Sequence, residues 1–183
     1  MKLDAIEYAA IAGRADCLVT PAEMDAALDR MAGVLTERLA GKDPLVLCVM
    51  TGGIVVTGLL LPRLHFQLRL DYLHASRYRG TTSGGEIVWR YRPSEAIRGE
   101  HILVLDDVLD EGVTLDQVIR ACHEDGAASV LSAVLVEKCR PHQCEADVVG
   151  VRVPNRYLYG DGLDYKNYFR NAHGVFAVAD EDL

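Results

Sequence analysis

The sequence predicts an α/β fold in which a mainly parallel central sheet is flanked by helices. Four short apolar runs lack polar alternation, as is typical of parallel strands buried on both faces, and they span residues 45–50, 102–105, 129–136 and 148–153. Segments with helical spacing of apolar residues lie before and between them, at residues 24–39 and 54–61 and from Leu115 onward. Ligands of such sheets bind beyond the carboxyl ends of the strands, so the turns that follow strands are the candidate sites.

The remaining elements complete this pattern. Thr20 and Glu23 form a capping box at the start of the first helix, and Gly41 closes that helix. Three further strands are predicted, at residues 66–71, 86–91 and 175–178.

Composition limits the classes of function. The chain has 183 residues, of which 50% are hydrophobic, enough for one core, so a single domain is expected. Its net charge of −8 disfavours binding to nucleic acid or to an anionic membrane. No apolar run reaches the ~18 residues of a membrane span, and the first ten residues lack a signal-peptide layout. The five scattered cysteines are expected to be reduced, so a cytoplasmic location is predicted.

An acidic turn follows the second buried run. It contains four carboxylates, a glycine and a threonine: Asp106, Asp107, Asp110, Glu111, Gly112 and Thr114. The strand is expected to end at Asp106, and Thr114 is expected to cap the helix that follows. The amino end of that helix can hold a phosphate, and the carboxylates can hold sugar hydroxyls, so a ribose 5-phosphate satisfies both halves. The alternative is that these residues merely end a strand and begin a helix.

The run LVLDDVLDEGVTL at residues 103–115 resembles the phosphoribosyl-diphosphate-binding signature of the type I phosphoribosyltransferases. This resemblance implies that Asp106 and Asp107 contact the ribose hydroxyls. It makes the loop from Asp110 through Glu111, Gly112 and Val113 to Thr114 the cradle of the 5-phosphate.

Two other loops match the family. Thr51-Gly52-Gly53 follows a strand and resembles the loop that contacts pyrophosphate, where many members carry a lysine in place of Thr51. Ser76-Arg77-Tyr78 opens a glycine-rich segment and resembles the start of the flexible loop that closes over the reacting centre. Closure would exclude water, which is the rival nucleophile.

The last part of the chain resembles the family members that use 6-oxopurines. By that resemblance Lys138 bonds the base O6, although the preceding Glu137 leaves the register open by one residue. Tyr157 stacks on the base and Leu158 offers backbone groups to its edge. Asp164 helps to hold Mg²⁺ or its waters, and Arg170 reaches pyrophosphate. Taken singly, these residues also fit ordinary structural roles as a solvated lysine, a core aromatic, a helix cap and a surface cation.

The resemblance implies a hypoxanthine-guanine phosphoribosyltransferase of purine salvage. Its core spans about residues 40–153, and a small hood comes from about residues 1–20 and 154–183. Phosphoribosyl diphosphate and a 6-oxopurine are the expected substrates, Mg²⁺ is the cofactor, and Asp110 is placed to act on the purine N7 proton. A homodimer or homotetramer is expected. The alternatives are a regulatory phosphoribosyl-diphosphate sensor and an enzyme for xanthine, adenine or orotate.

Overall fold

The computed structural model of the protein describes residues 2–77, 87–93 and 97–183. Within these residues the α-helices are α1 (Ala5–Arg14), α2 (Pro21–Leu39), α3 (Gly53–Leu60) and α4 (Val113–Glu124). The strands are β1 (Asp16–Val19), β2 (Leu45–Val49), β3 (Arg69–Arg77), β4 (Ile87–Tyr91), β5 (His101–Leu109), β6 (Ser129–Cys139), β7 (Val148–Pro154), β8 (Leu158–Tyr159) and β9 (Val175–Ala177). Short 3₁₀ helices occur at Leu61–Arg63 and Asp180–Asp182.

A six-stranded sheet forms the centre of the molecule, in the order β4-β3-β2-β5-β6-β7. Its neighbours pair in parallel except for β3 and β4, which are antiparallel. This arrangement, with helices on both faces, confirms the predicted fold class.

Strand β5 is buried on both faces. Its residues Leu103 and Leu105 join a core cluster with α2 and α3, whereas Ile102 and Val104 join a second cluster with α4. All four are fully buried. Burial on both sides explains why the strand has no polar alternation.

A smaller sheet, in the order β1-β9-β8, lies beside the central one. Helix α1 packs here through Tyr8, which stacks on Phe169 with ring centroids 4.0 Å apart. A capping box between Asp4 and Glu7 begins α1. Neither α1 nor β1 was predicted from the sequence, and the boundaries of the core and the hood remain a prediction.

The predicted end of β5 at Asp106 is wrong. Its neighbour β2 pairs with it only as far as Leu105, but β6 continues alongside to the pair Leu109 and Glu137. Because one neighbour stops and the other continues, Asp106 and Asp107 lie within the strand, at an open side of the sheet. Strand β3 likewise runs over Arg69–Arg77 rather than residues 66–71, since its pairing with β2 begins at Arg69 and Leu45.

No helix in the described ranges is both long enough and apolar enough to cross a membrane.

Candidate active site

Two adjoining cavities open at the carboxyl ends of the parallel strands. The larger, of about 540 Å³, is lined by the loops after β2 and β5 together with Asp164 and Arg170. The smaller, of about 270 Å³, is lined by Lys138, Tyr157 and Leu158 among others. The two cavities share residues at the end of β5 and one residue from the segment between β8 and β9: Asp107, Val108, Asp110 and Asp164. The arrangement can hold a ligand with a polar, charged part and a planar part.

The acidic pair of β5 lies on the wall of the larger cavity. Asp106 is 9% exposed, and one of its carboxylate oxygens accepts a hydrogen bond of 2.9 Å from the backbone N–H of Asp107. Burial, and then the neighbouring charge of Asp107, raise the pKa of Asp106 well above the usual range of an aspartate. Burial also raises the pKa of Asp107, and the hydrogen bond with Asp106 and the charge of Arg170, 4.0 Å away, oppose that shift. Two carboxylates held together in this way favour a ligand that brings hydroxyl groups or positive charge.

The loop after β2 touches this acidic pair. A Cβ on Gly52 would lie 1.8 Å from Oδ2 of Asp107, and a Cβ on Gly53 would lie 2.8 Å from the carbonyl oxygen of Leu105. No side chain fits at either position. Helix α3 begins at Gly53, and its N-cap Gly52 lines the larger cavity, so the amino end of the helix borders that cavity. Thr51 is exposed, and the Met50–Thr51 peptide bond is cis.

The phosphate cradle predicted after β5 is the amino end of α4. Gly112 is the N-cap, with φ +80°, and a Cβ there would lie 3.1 Å from the backbone nitrogens of Gln143 and Cys144. The prediction that Thr114 caps this helix is wrong, because the helix already begins at Val113 and no side chain caps it. Uncapped first-turn N–H groups are the donors that bind an anion at a helix amino end.

Asp110 is held by two cations. Its Oδ2 lies 2.7 Å from Nζ of Lys138, and its Oδ1 lies 2.7 Å from Nη1 of Arg140. Burial alone would raise the pKa of Asp110, but the hydrogen bonds and charges of Lys138 and Arg140 outweigh it and lower the pKa below its usual value. Arg140 also lies 3.5 Å from Glu111, and its place in the site was not predicted from the sequence. The only local signal is its position two residues after Lys138.

The smaller cavity brings together the four residues assigned to the purine. Lys138 is mostly buried and lines the cavity, whereas Glu137 pairs with Arg152 at 3.1 Å and does not line it. Tyr157 leaves 47% of its surface exposed and meets the ring of Tyr165 edge-on. The cavity therefore combines a cation at one end with an accessible aromatic face.

The chain after β8 carries Asp164 and Arg170 to the larger cavity. Nη2 of Arg170 lies 2.5 Å from Asp164, and its Nη1 donates a 2.6 Å hydrogen bond to the carbonyl of Gly162. Gly162 has φ +107°, and a Cβ there would lie 2.5 Å from the carbonyl oxygen of Gly52. This segment therefore lies directly against the loop after β2.

Within the described ranges, no three His, Cys, Asp or Glu side chains come together in a group that could hold a metal ion. Cys139, His142 and Cys144, which lie close together in the sequence, form no such group either. Mg²⁺ needs only one or two carboxylates when substrate phosphates and water complete its shell. Asp106, Asp107 and Asp164, on the wall of one cavity, meet that requirement.

Part of the predicted flexible loop can be placed. Ser76 and Arg77 are the last residues of β3, which leads to the site. Tyr78 and the glycine-rich segment after it lie outside the described residues.

Comparison with known proteins decides the family. A family model described as a phosphoribosyl transferase domain matches residues 19–151. The chain belongs to this family. The resemblance drawn from the acidic turn is thereby confirmed, although no comparison tests the role of any single residue.

Two curated relatives resemble most of the chain. A hypoxanthine-guanine-xanthine phosphoribosyltransferase of Tritrichomonas foetus is 35% identical over 77% of this chain and 79% of its own length. A hypoxanthine-guanine phosphoribosyltransferase of Streptococcus pneumoniae is 32% identical over 90% of this chain and 93% of its own length.

Solved structures share the fold. A hypoxanthine phosphoribosyltransferase of Staphylococcus aureus superposes with a TM-score of 0.87 at 23% identity, over 98% of both chains. The Trypanosoma cruzi enzyme in complex with the product IMP has a TM-score of 0.84 at 26% identity, over 92% of this chain and 95% of that one.

Proposed function

We propose that this protein is a hypoxanthine-guanine phosphoribosyltransferase of purine salvage. It transfers the 5-phosphoribosyl group of phosphoribosyl diphosphate to N9 of hypoxanthine or guanine and releases pyrophosphate. The observation that carries the proposal is the pair of adjoining cavities, one lined by the acidic pair and two helix amino ends, the other by Lys138 and Tyr157. The names of the relatives support the same reaction.

The larger cavity would hold phosphoribosyl diphosphate. Asp106 and Asp107 accept hydrogen bonds from the ribose hydroxyls, and the uncapped amino end of α4 binds the 5-phosphate. The loop at Gly52 and Gly53 offers backbone N–H groups to the pyrophosphate. Arg170 adds the charge on that side, where negative charge grows as the bond to C1 breaks.

The smaller cavity would hold the purine. Tyr157 stacks on the ring, backbone groups of Leu158 meet its edge, and Lys138 donates to O6. Asp110 lies between the two cavities, where it can take the N7 proton. Because Lys138 and Asp110 are paired 2.7 Å apart, a purine O6 that takes one donor of the lysine leaves the carboxylate beside the base.

Mg²⁺ is the proposed cofactor, with Asp164 and the acidic pair as its protein contacts. When bound it would supply positive charge to the pyrophosphate, a role made more important because Thr51 stands where many family members have lysine. Arg170 partners Asp164 in the same cavity and orients that carboxylate.

An assembly of two or four identical chains is also proposed. Its support is an exposed apolar face formed by Ile54, Leu70 and Tyr72 around a cavity of about 530 Å³. If this face joins two copies, Leu70→Glu yields monomers in sedimentation experiments, whereas the wild type sediments as a dimer or tetramer.

A cytoplasmic location is proposed because all five cysteines are unpaired, and cell fractionation tests it.

A spectrophotometric assay tests the reaction. The protein is mixed with Mg²⁺ and phosphoribosyl diphosphate, and hypoxanthine, guanine, xanthine, adenine and orotate are added in turn. Turnover of hypoxanthine or guanine is the expected result. Turnover of xanthine alone would contradict the proposed base preference, whereas turnover of adenine or orotate alone would keep the chemistry but overturn the roles of Lys138 and Tyr157. Phosphoribosyl-diphosphate binding without turnover of any base would contradict the enzyme and favour a sensor.

A further inference from the structure

We infer that Asp161 and His173 form a positioning pair that sets the pyrophosphate-binding side of the site. The inference deepens, and rests on, the proposed function. Asp161 is one of the few fully buried carboxylates in the described part of the chain, at 3% exposure, and it contacts no part of either cavity. A buried carboxylate is costly unless its oxygens are satisfied, so its partners indicate what it is for.

Asp161 joins the two ends of the segment that runs from residue 161 to residue 174. Its Oδ2 accepts a 2.9 Å hydrogen bond from the backbone N–H of Gly174, and its Oδ1 lies 3.1 Å from Nδ1 of His173. An ionised carboxylate only accepts, so Nδ1 is the donor. The backbone N–H of Asp161 donates at 2.7 Å to the carbonyl of Ala172. Residues 161 and 172–174 are thus fastened by three bonds.

The fastened segment includes the group that would meet pyrophosphate. Next to Asp161, the backbone N–H of Gly162 donates to the carbonyl of Arg170 at 3.0 Å, and Nη1 of Arg170 donates back to the carbonyl of Gly162 at 2.6 Å. A shift of residues 161 and 162 therefore moves the guanidinium with them. Gly162 also lies against the carbonyl of Gly52, so the same shift changes the fit to the pyrophosphate loop.

The backbone of residues 160–162 adopts a left-handed conformation that needs support from other contacts. Asp161 has φ +43° and stands between Gly160 and Gly162, with φ +106° and +107°. A left-handed conformation is unfavourable for a residue with a side chain, and Asp and Asn tolerate it best. The side-chain bonds to His173 and Gly174 offset that cost, which gives them a role in geometry as well as in satisfying the charge.

His173 joins this segment to the body of the protein. Its Nε2 lies 4.0 Å from Asp25 of α2, and Asp25 in turn pairs with Arg63 at 2.8 Å. The imidazole is nearly half exposed, at 46%, so replacing it leaves the core untouched. Variants of His173 therefore test the pair without the folding risk of changing Asp161 itself.

The test measures two ligands separately by calorimetry. His173→Phe keeps a ring but removes the donor, and is expected to weaken binding of pyrophosphate with Mg²⁺ about tenfold. His173→Asn places an amide donor where Nδ1 stood and should restore affinity to within about threefold. IMP, which does not contact Arg170 in the proposed arrangement, should bind both variants within about twofold of the wild type.

Asp147→Asn is the matched control. Asp147 also accepts a backbone N–H, that of Ser132 at 2.9 Å, but it precedes β7 and lies outside both cavities. Its replacement should lower stability without changing either affinity. The inference is overturned if His173→Phe leaves pyrophosphate binding unchanged or weakens IMP binding equally. Calorimetry measures binding without turnover. If the wild type turned over none of the bases, the proposed function would be refuted, but the effect of His173→Phe on pyrophosphate binding could still be measured.

Discussion

The two halves of the site treat their carboxylates in opposite ways. On the side proposed for ribose and pyrophosphate, Asp106 and Asp107 are buried together, and burial raises the pKa of both. On the side proposed for the purine, Asp110 is bound by Lys138 and Arg140, which outweigh the effect of burial and lower its pKa. In one half the buried carboxylates are unfavourable to ionise, whereas in the other the charge of the carboxylate is balanced by two bound cations.

The difference shows how each half prepares for its ligand. Because burial raises the pKa of both carboxylates, ionising the acidic pair at neutral pH is unfavourable, and the proposed ligand, with its hydroxyls and Mg²⁺, would offset that cost when it binds. Asp110 needs no such relief. In the proposed arrangement a purine would compete with Asp110 for Lys138, so binding of O6 to the lysine would weaken the hold of Lys138 on the Asp110 carboxylate.

Replacement of Asp110 should produce the largest effect. Asp110→Asn removes the proton acceptor while keeping the shape, so kcat is expected to fall at least ~100-fold. Binding of phosphoribosyl diphosphate should weaken by no more than about threefold, because its proposed contacts are the acidic pair, the two helix amino ends and Arg170. Steady-state kinetics and calorimetry measure the two quantities, and equal losses in both would contradict the base role.

Asp125→Asn is the control for that variant. Asp125 is the C-cap of α4, at the far end of the helix from the site, and it pairs with Arg92 at 2.6 Å, outside both cavities. Neither kcat nor binding should change by more than about twofold.

Lys138 and Arg140 can be separated by their neutral variants. Both pair with Asp110, but of the two only Lys138 lines the smaller cavity. Lys138→Gln should raise the KM for hypoxanthine about 30-fold because a charged donor to O6 is lost. Arg140→Gln should raise it by less than about threefold. Similar values for the two variants would show that Asp110 orientation, and not the O6 contact, sets purine affinity.

Thr51 offers a change that adds function. Thr51→Lys places a cation in the exposed loop beside the pyrophosphate site and should lower the KM for phosphoribosyl diphosphate about tenfold at low Mg²⁺. Thr51→Gln adds similar length without charge and should change it by less than about twofold. No gain from the lysine would mean that backbone groups and Arg170 already saturate this side of the ligand.

Features that depend on residues close together in the sequence could be predicted, whereas contacts between residues far apart in the sequence could not. The acidic turn, the Gly52-Gly53 loop and the cap of α2 depend on residues within a few positions of one another, and each could be predicted. The bonds of Arg140 to Asp110, 30 residues apart, and of His173 to Asp161, 12 residues apart, depend on how separate elements meet. The continuation of β5 past Asp106 was missed for the same reason, since a neighbouring strand decides it.

Stability against pH tests the contrast between the two halves most directly. The free energy of unfolding is measured from pH 4 to 8 for the wild type, Asp106→Asn and Asp110→Asn. Asp106 has a raised pKa, so the folded wild type holds its proton longer than the unfolded chain does and loses stability as pH rises above ~3.9. Asp106→Asn should therefore match the wild type near pH 4 and be more stable than the wild type at pH 7, by an amount that grows as the pH rises.

Asp110→Asn should behave in the opposite way. The lowered pKa of Asp110 contributes stability above ~3.9 that is lost only as pH falls further. The variant should be less stable than the wild type at pH 7, by under about 1 kcal/mol because the side chain is 40% exposed. Opposite signs for the two variants at pH 7 are the predicted result. A loss of stability in both would contradict the account.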